Sequence, residues 1–335
     1  TTAPVITLID PPNDTSVRGN RTINFSITDS GGSNVQNVTW SSNYELNSMD
    51  FIGFYGINTS RFPEGKTNIT IAANDSAGNK ITLLFTYTID FTPPIVTFNK
   101  PSPRQVIRGS FIVNVSATDA LSNVSGLLFA FNGSVNSSMT RIGPEITSDY
   151  FFDWNTSNAS DNEHVIKIYG NDTANNIKFE PRIAIVDNTA PSIRLDSPSN
   201  NTFNKVNALT FVFSTAEDNN LNNCSLIING SINSTLASPI KNAINTLTVN
   251  LNDGIYRWTV NCSDGAVDSN GTPNIGTNST EYLISVDTVI PRINMSLNDS
   301  SLERNEAVNV TANVSDDVVL SFCQFVINQT GANQF

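Results

Sequence analysis

The sequence predicts an all-β chain of tandem two-sheet β-sandwiches, and three features predict it. A proline-initiated segment recurs four times along the 335 residues. Apolar residues fall at every second position in several runs per repeat, which makes one face of each strand buried and the other wet. Turn-forming Asn, Asp, Gly and Ser clusters separate those runs every dozen residues or so. No stretch holds the apolar period of a helix, so almost no helix is expected.

The recurring segments are Thr2-Ala-Pro-Val-Ile-Thr-Leu, Thr92-Pro-Pro-Ile-Val-Thr-Phe, Thr189-Ala-Pro-Ser-Ile-Arg-Leu and Val289-Ile-Pro-Arg-Ile-Asn-Met. Their prolines, Pro4, Pro94, Pro191 and Pro291, recur at intervals of about 90 to 100 residues, one sandwich each. Proline fixes φ and donates nothing to a ladder, which suits the entry to an edge strand. Three domains follow, 1–90, 91–187 and 188–287, with the first half of a fourth at 288–335. Linkers of two or three residues predict a stiff, rod-like array.

Each repeat then runs in the same order. An alternating strand ends at an acidic turn: Ile23/Phe25/Ile27 before Asp29, Phe111/Val113/Val115/Ala117 before Asp119, and Val308/Val310/Ala312/Val314 before Asp316. A second strand ends in Asn-Gly, a hairpin signal, in Gly126-Leu-Leu-Phe-Ala-Phe-Asn-Gly and Cys224-Ser-Leu-Ile-Ile-Asn-Gly. Ile69/Ile71/Ala73 leads into Asn74-Asp-Ser-Ala-Gly-Asn, echoed by Tyr169-Gly-Asn-Asp-Thr-Ala-Asn-Asn and Val260-Asn-Cys-Ser-Asp-Gly. Ile81/Leu83/Phe85/Tyr87/Ile89 then closes the repeat. Half a core cannot bury its apolar face, so the fourth copy is expected to be completed by a longer parent chain or by another subunit.

Charged residues make up only 14% of the chain and the net charge is -12, so Asn, Ser and Thr must form most of the polar surface. Nothing resembles the Lys/Arg stripe a nucleic acid requires. No window approaches a membrane span and Thr1 opens no signal-like segment, so a membrane anchor, if the protein has one, is expected outside this segment.

Of the three cysteines, Cys224 shares a strand face with Leu226 and Ile228, and Cys262 shares one with Tyr256, Trp258 and Val260. Both thiols point inward on strands expected to be neighbours in one sheet. They form either a disulfide or two buried free thiols, and the shared inward phase favours the disulfide. Cys323 occupies the place of Cys224 in its own repeat, so its partner is expected beyond residue 335.

Asn-X-Ser/Thr occurs roughly two dozen times, more than about twice what chance predicts from this composition. The candidates are Asn13, Asn20, Asn24, Asn37, Asn58, Asn68 and Asn74 in the first repeat, and Asn114, Asn123, Asn132, Asn136, Asn155, Asn158 and Asn171 in the second. The third holds Asn200, Asn223, Asn229, Asn233, Asn261, Asn270 and Asn278, and the fourth Asn294, Asn298, Asn309, Asn313 and Asn328. Many fall on the outward phase of a strand, where a bulky sugar leaves the core undisturbed. The alternative is that Asn and Thr are simply the preferred polar residues of such a surface.

Catalytic signatures do not occur. His164 is the single histidine, read as a surface residue on a strand, and no phosphate loop, Cys-x-x-Cys, His-Glu-x-x-His or Gly-x-Ser-x-Gly is present. Asp316/Asp317 reads as solvated turn chemistry. Calcium is the one ligand the residues suggest: Asp90, Asp187 and Asp287 sit at the domain junctions, near which Asp172-Thr and Asp264-Gly would supply further oxygens. The alternative reading is that each Asp caps the turn before its proline.

Asn74-Asp-Ser-Ala-Gly-Asn with Asp90-Phe-Thr-Pro-Pro, and Asn171-Asp-Thr-Ala-Asn-Asn with Asp187-Asn-Thr-Ala-Pro, resemble the immunoglobulin-like repeats of bacterial and archaeal surface proteins. The variant with Cys224-Ser-Leu-Ile-Ile-Asn-Gly and Asp253-Gly-Ile-Tyr-Arg-Trp-Thr-Val-Asn-Cys looks like domains of archaeal S-layer and envelope glycoproteins. The third copy departs from the pattern in Asp264-Gly-Ala-Val-Asp-Ser-Asn-Gly-Thr-Pro, a longer loop than its counterparts. The resemblance implies immunoglobulin-like sandwiches in a non-enzymatic, extracellular, cell-surface structural glycoprotein that self-assembles with like subunits. A strand-exchanging filament and an adhesin stalk are its alternatives.

Overall fold

The computed structural model describes residues 2–44, 46–49, 54–132, 137–142, 148–217, 221–298 and 309–324. Val308, in the fourth predicted alternating strand, lies outside them. Among the described residues the only helical element is a single 3-10 turn, Thr59–Arg61, against more than two dozen strands. No helix among them is long and apolar enough to cross a membrane.

The chain divides into two compact units, Thr1–Asp187 and Asn188–Phe335. The first holds two sandwiches. In the earlier one, Val5–Asp10, Thr22–Thr28 and Phe54–Asn58 form one sheet, and Thr15–Val17, Lys80–Ile89, Gly65–Asp75, Val35–Ser42 and Leu46–Met49 form the other, in that order. In the later one, Ile95–Lys100, Ser110–Thr118, Ser148–Asn155 and Thr140–Ile142 face a sheet containing Val106–Ile107, Ile177–Val186, Asn162–Asp172 and Val124–Phe131. The second unit repeats the scheme, with Ser192–Ser197, Ala208–Ala216 and Ile244–Asn250 opposite Thr202–Asn204, Tyr282–Val286, Gly254–Val267 and Leu221–Ile228.

Alternation becomes a core in each sandwich. Ile23, Phe25, Ile69, Ile71, Tyr87 and Ile89 belong to the first, Phe111, Val113, Val115, Ile166 and Ile168 to the second, and Phe211, Phe213, Leu226, Val260 and Ile284 to the third. Each core also buries one of the three tryptophans: Trp40, Trp154 and Trp258.

One feature of the scheme is absent from the strand expectations. In each of the first three repeats the first strand is split: its opening half pairs in one sheet, and its second half crosses to pair in parallel with the last strand of the other. Thr15 thus lies opposite Tyr87, Val106 opposite Ile185, and Thr202 opposite Ile284. The crossing follows a second proline, Pro11, Pro101 or Pro198, seven residues after the first in each of these three copies. A residue without an N–H cannot continue the first ladder, so the chain is free to leave it.

Two expectations need correction. His164 is not a surface residue: it is 7% exposed, its Nε2 lies 2.7 Å from the Ser160 carbonyl, and its ring stands edge-on to Phe131. It shares the inward phase of Ile166 and Ile168, and satisfying its polar atom locally makes that burial tolerable. The stretch from Asp264 to Pro273 is not merely a longer loop, because Gly254–Val267 runs on as a strand and turns at Asp268–Thr272 to pair with Pro273–Thr277. Asp268 Oδ1 accepts the Asn270 and Thr272 amides, holding that turn. The Asn229-Gly230 turn has positive φ at both positions, the backbone an Asn-Gly hairpin demands.

Candidate metal centre

Three acidic side chains converge at the start of the second sandwich. Asp119 follows the strand Ser110–Thr118 and accepts the Leu121 and Ser122 amides through Oδ1, at 3.0 and 2.8 Å. Asp172 ends the strand Asn162–Asp172; its Oδ1 accepts the Asn176 amide at 2.8 Å and its Oδ2 the Asn176 side chain at 2.9 Å. Asn175 in this turn takes the left-handed backbone that Asn tolerates. Asp90 follows the last strand of the first sandwich; its amide donates to the Val17 carbonyl and its Oδ1 accepts the Thr92 amide at 3.0 Å.

Local backbone thus fixes each carboxylate, and one oxygen from each lies within 4.8 Å of the other two. Asp90 and Asp172 are fully buried, and Asp119 is half-buried. Asp90 Oδ2 has no hydrogen-bond partner, nor does Asn176 Oδ1. Burial pushes the Asp90 carboxyl above the ordinary range, the neighbouring charges of Asp119 and Asp172 add to that, and hydrogen bonds from Ser122 and Thr92 oppose it. A cleft of about 290 Å³ adjoins the cluster, lined by Asp90, Asp119, Thr92 and Glu64. Glu64, from the first sandwich, accepts the Phe91 amide and the Thr92 hydroxyl.

The same positions are acidic in the other repeats. Asp187 closes the first unit, is buried, and donates its amide to the Ile107 carbonyl as Asp90 does to Val17. In the third sandwich the buried Glu217 and Asp264 stand where Asp119 and Asp172 do in the second, with carboxylate oxygens within 4.8 Å of each other. Asp287 lies beside Asp253 and Asp317 in a more open triad. Asp253 accepts the amide and hydroxyl of Thr288, the counterpart of the Glu64 arrangement. Asp317, read from sequence as solvated turn chemistry, therefore has carboxylate neighbours.

In the first sandwich Asp29 and Asp75 stand where Asp119 and Asp172 do in the second, and Ser33 bridges them, donating to Asp75 Oδ2 at 2.8 Å and Asp29 Oδ2 at 3.1 Å. Hydrogen bonds from Asn79 and then Ser33 hold Asp75 down at about 2 against its burial.

The sequence singled out the junction aspartates and the turns of Asp172 and Asp264. It missed Asp119, Glu217 and Asp253 as their companions. Asp119 was visible as a recurring acidic turn, but nothing along the chain placed that turn beside the linker.

Cys224 and Cys262 form the disulfide, directly opposite each other on neighbouring antiparallel strands, and Cys323 is exposed. Among the described residues no asparagine of an Asn-X-Ser/Thr site is buried; the side chains of Asn136 and Asn328 lie outside them.

Two family models match the chain. The bacterial Ig domain matches residues 94–168, and the bacterial Ig-like domain of group 3 matches residues 53–128, across Asp90. A search of curated proteins returns no match. Among solved structures, the titin I-band fragment I67-I69 is 12% identical, covering 85% of this chain and 98% of its own, with a TM-score of 0.43. The fibronectin(III)-like modules of Clostridium thermocellum CbhA are 19% identical over 55% of this chain and 95% of theirs, at 0.37. A tetra-tandem repeat from the extending region of a large adhesion protein is 14% identical over 93% of this chain and 87% of its own, at 0.32. At such identities and scores no function carries across. The same strand order in each complete sandwich makes the chain a tandem array of immunoglobulin-like domains, of which residues 53–168 match the bacterial type.

Proposed function

We propose that this chain is a structural part of an extracellular surface glycoprotein, an S-layer or envelope component whose sandwich array covers or spaces the cell, with no catalytic role. The observation that carries this reading is the surface. Asn, Ser and Thr replace charge over most of the exterior, and every described glycosylation candidate has its side chain at least partly in solvent. Immunoglobulin-like repeats are typical of extracellular and surface proteins, which supports the location. Intact mass and glycopeptide mapping of the native protein from its cell surface test it. Hexose-bearing peptides at many of these asparagines are expected; an unmodified protein recovered from the cytoplasm would overturn it.

One observation favours a second reading. In the fourth copy, Arg292–Leu297 pairs with Val310–Ser315, so that Ile293 faces Val314, Met295 faces Ala312 and Leu297 faces Val310 on one side of a two-stranded sheet. Ile293, Met295 and Leu297 are exposed among the described residues. Such a face requires an opposite sheet. A continuation of the parent chain or, in a filament, strands from a like subunit would supply it, and concentration-dependent assembly abolished by Met295→Asp would identify the second arrangement.

A further inference from the structure

Burying two carboxylates beside a third is costly unless something positive or a proton sits among them. Asp90 and Asp172 are fully buried, Asp119 is half-buried beside them, and no Lys, Arg or His side chain hydrogen-bonds or ion-pairs with any of the three among the described residues. The donors present are backbone amides, the Asn176 side chain and the Ser122 hydroxyl, all neutral, which orient the carboxylates but leave Asp90 Oδ2 buried without a partner. Asn176, wedged between Asp172 and the linker carbonyl of Asp90, likewise keeps a buried Oδ1 unused.

We propose that Asp90, Asp119 and Asp172 bind one calcium ion, which ties the linker after the first sandwich to two turns of the second. Oxygens from all three residues lie within 4.8 Å of one another, as they must to share an ion whose ligands stand about 2.3–2.6 Å away. All-oxygen donors select a hard cation, and calcium accepts the irregular geometry that three separate turns impose. Water entering through the cleft beside Glu64 and Thr92 completes the coordination. The consequence is mechanical. With calcium bound, the Asp90–Pro94 linker cannot swing without breaking carboxylate–metal contacts; without it, three like charges loosen the junction.

Hydrogen exchange of the full 335-residue chain in millimolar calcium chloride and in EGTA tests this, read at peptides covering residues 86–96, 117–124 and 169–178. Calcium is expected to slow exchange there by about tenfold or more. Asp119→Asn, at the half-buried ligand, is expected to cost about tenfold or more in the calcium needed for that protection, while Trp154 fluorescence in EGTA stays that of the wild type. Identical exchange of the wild type with and without calcium would overturn the site regardless of any variant. So would a folded Asp119→Asn protein protected at the same calcium concentration as the wild type, or equal protection by magnesium.

Discussion

Asn176 Nδ2 donates to the Asp90 main-chain oxygen at 3.0 Å, across 86 residues of sequence, and to Asp172 Oδ2 at 2.9 Å. One side chain therefore joins the last turn of the second sandwich to the linker that precedes it.

Asn176→Ala removes both bonds and strands a buried carbonyl and a buried carboxylate oxygen. A loss of about 1–3 kcal/mol is expected in the urea unfolding of the second sandwich, followed by Trp154 fluorescence in a chain whose other two tryptophans are phenylalanine. No change in midpoint would mean that this tie contributes nothing.

Reduction of the Cys224–Cys262 bond acts on the third sandwich alone. For a separation of 38 residues, chain entropy predicts a loss of about 3–4 kcal/mol. Dithiothreitol should lower the unfolding midpoint reported by the buried Trp258 and leave those of Trp40 and Trp154 in place.

Tyr87 is fully buried and donates its hydroxyl to the Pro11 carbonyl at 3.2 Å, clasping the point where the first strand changes sheets. Tyr87→Phe leaves that carbonyl unpaired and is expected to cost about 1–2 kcal/mol in thermal unfolding of the first sandwich. Burial first, then Asp10 and Asp14, push the phenol up to about 12. Because the folded value exceeds the unfolded one near 10, the associated stability is fully present below pH ~10 and is lost as pH rises through ~12. Phenolate absorbance against pH should show one tyrosine ionising last.

Asp75 carries the opposite sign. Its carboxyl sits at about 2, below the 3.8 of a free one. The stability it lends is present above pH ~4 and lost as pH falls towards ~2. Acid unfolding of the first sandwich, followed by Trp40, should begin at higher pH in Asn79→Ala, which removes the largest stabilising hydrogen bond.

Much of this molecule was legible in the chain. Alternation in Phe111/Val113/Val115/Ala117, the Asn229-Gly230 hairpin and the inward phase of Cys224 and Cys262 are local, because side-chain direction in a strand has period two and a turn is set by its own residues. His164 was misread even though the inward phase of Ile166 and Ile168 includes it; polarity alone suggested the surface. The sheet change at Pro11, Pro101 and Pro198 was also written in the repeat, as a second proline at constant spacing, but one ladder's end does not reveal where the strand goes next.

The sequence by itself determined the main alternating strands, most of their buried faces and the acids at the repeat boundaries. Only the tertiary structure decided which acids meet. Asp90, Asp119 and Asp172 come from three turns far apart in the chain, and their convergence depends on how two sheets pack and on where a linker lands. No local periodicity encodes these long-range distances, which are set by the summed packing of whole cores.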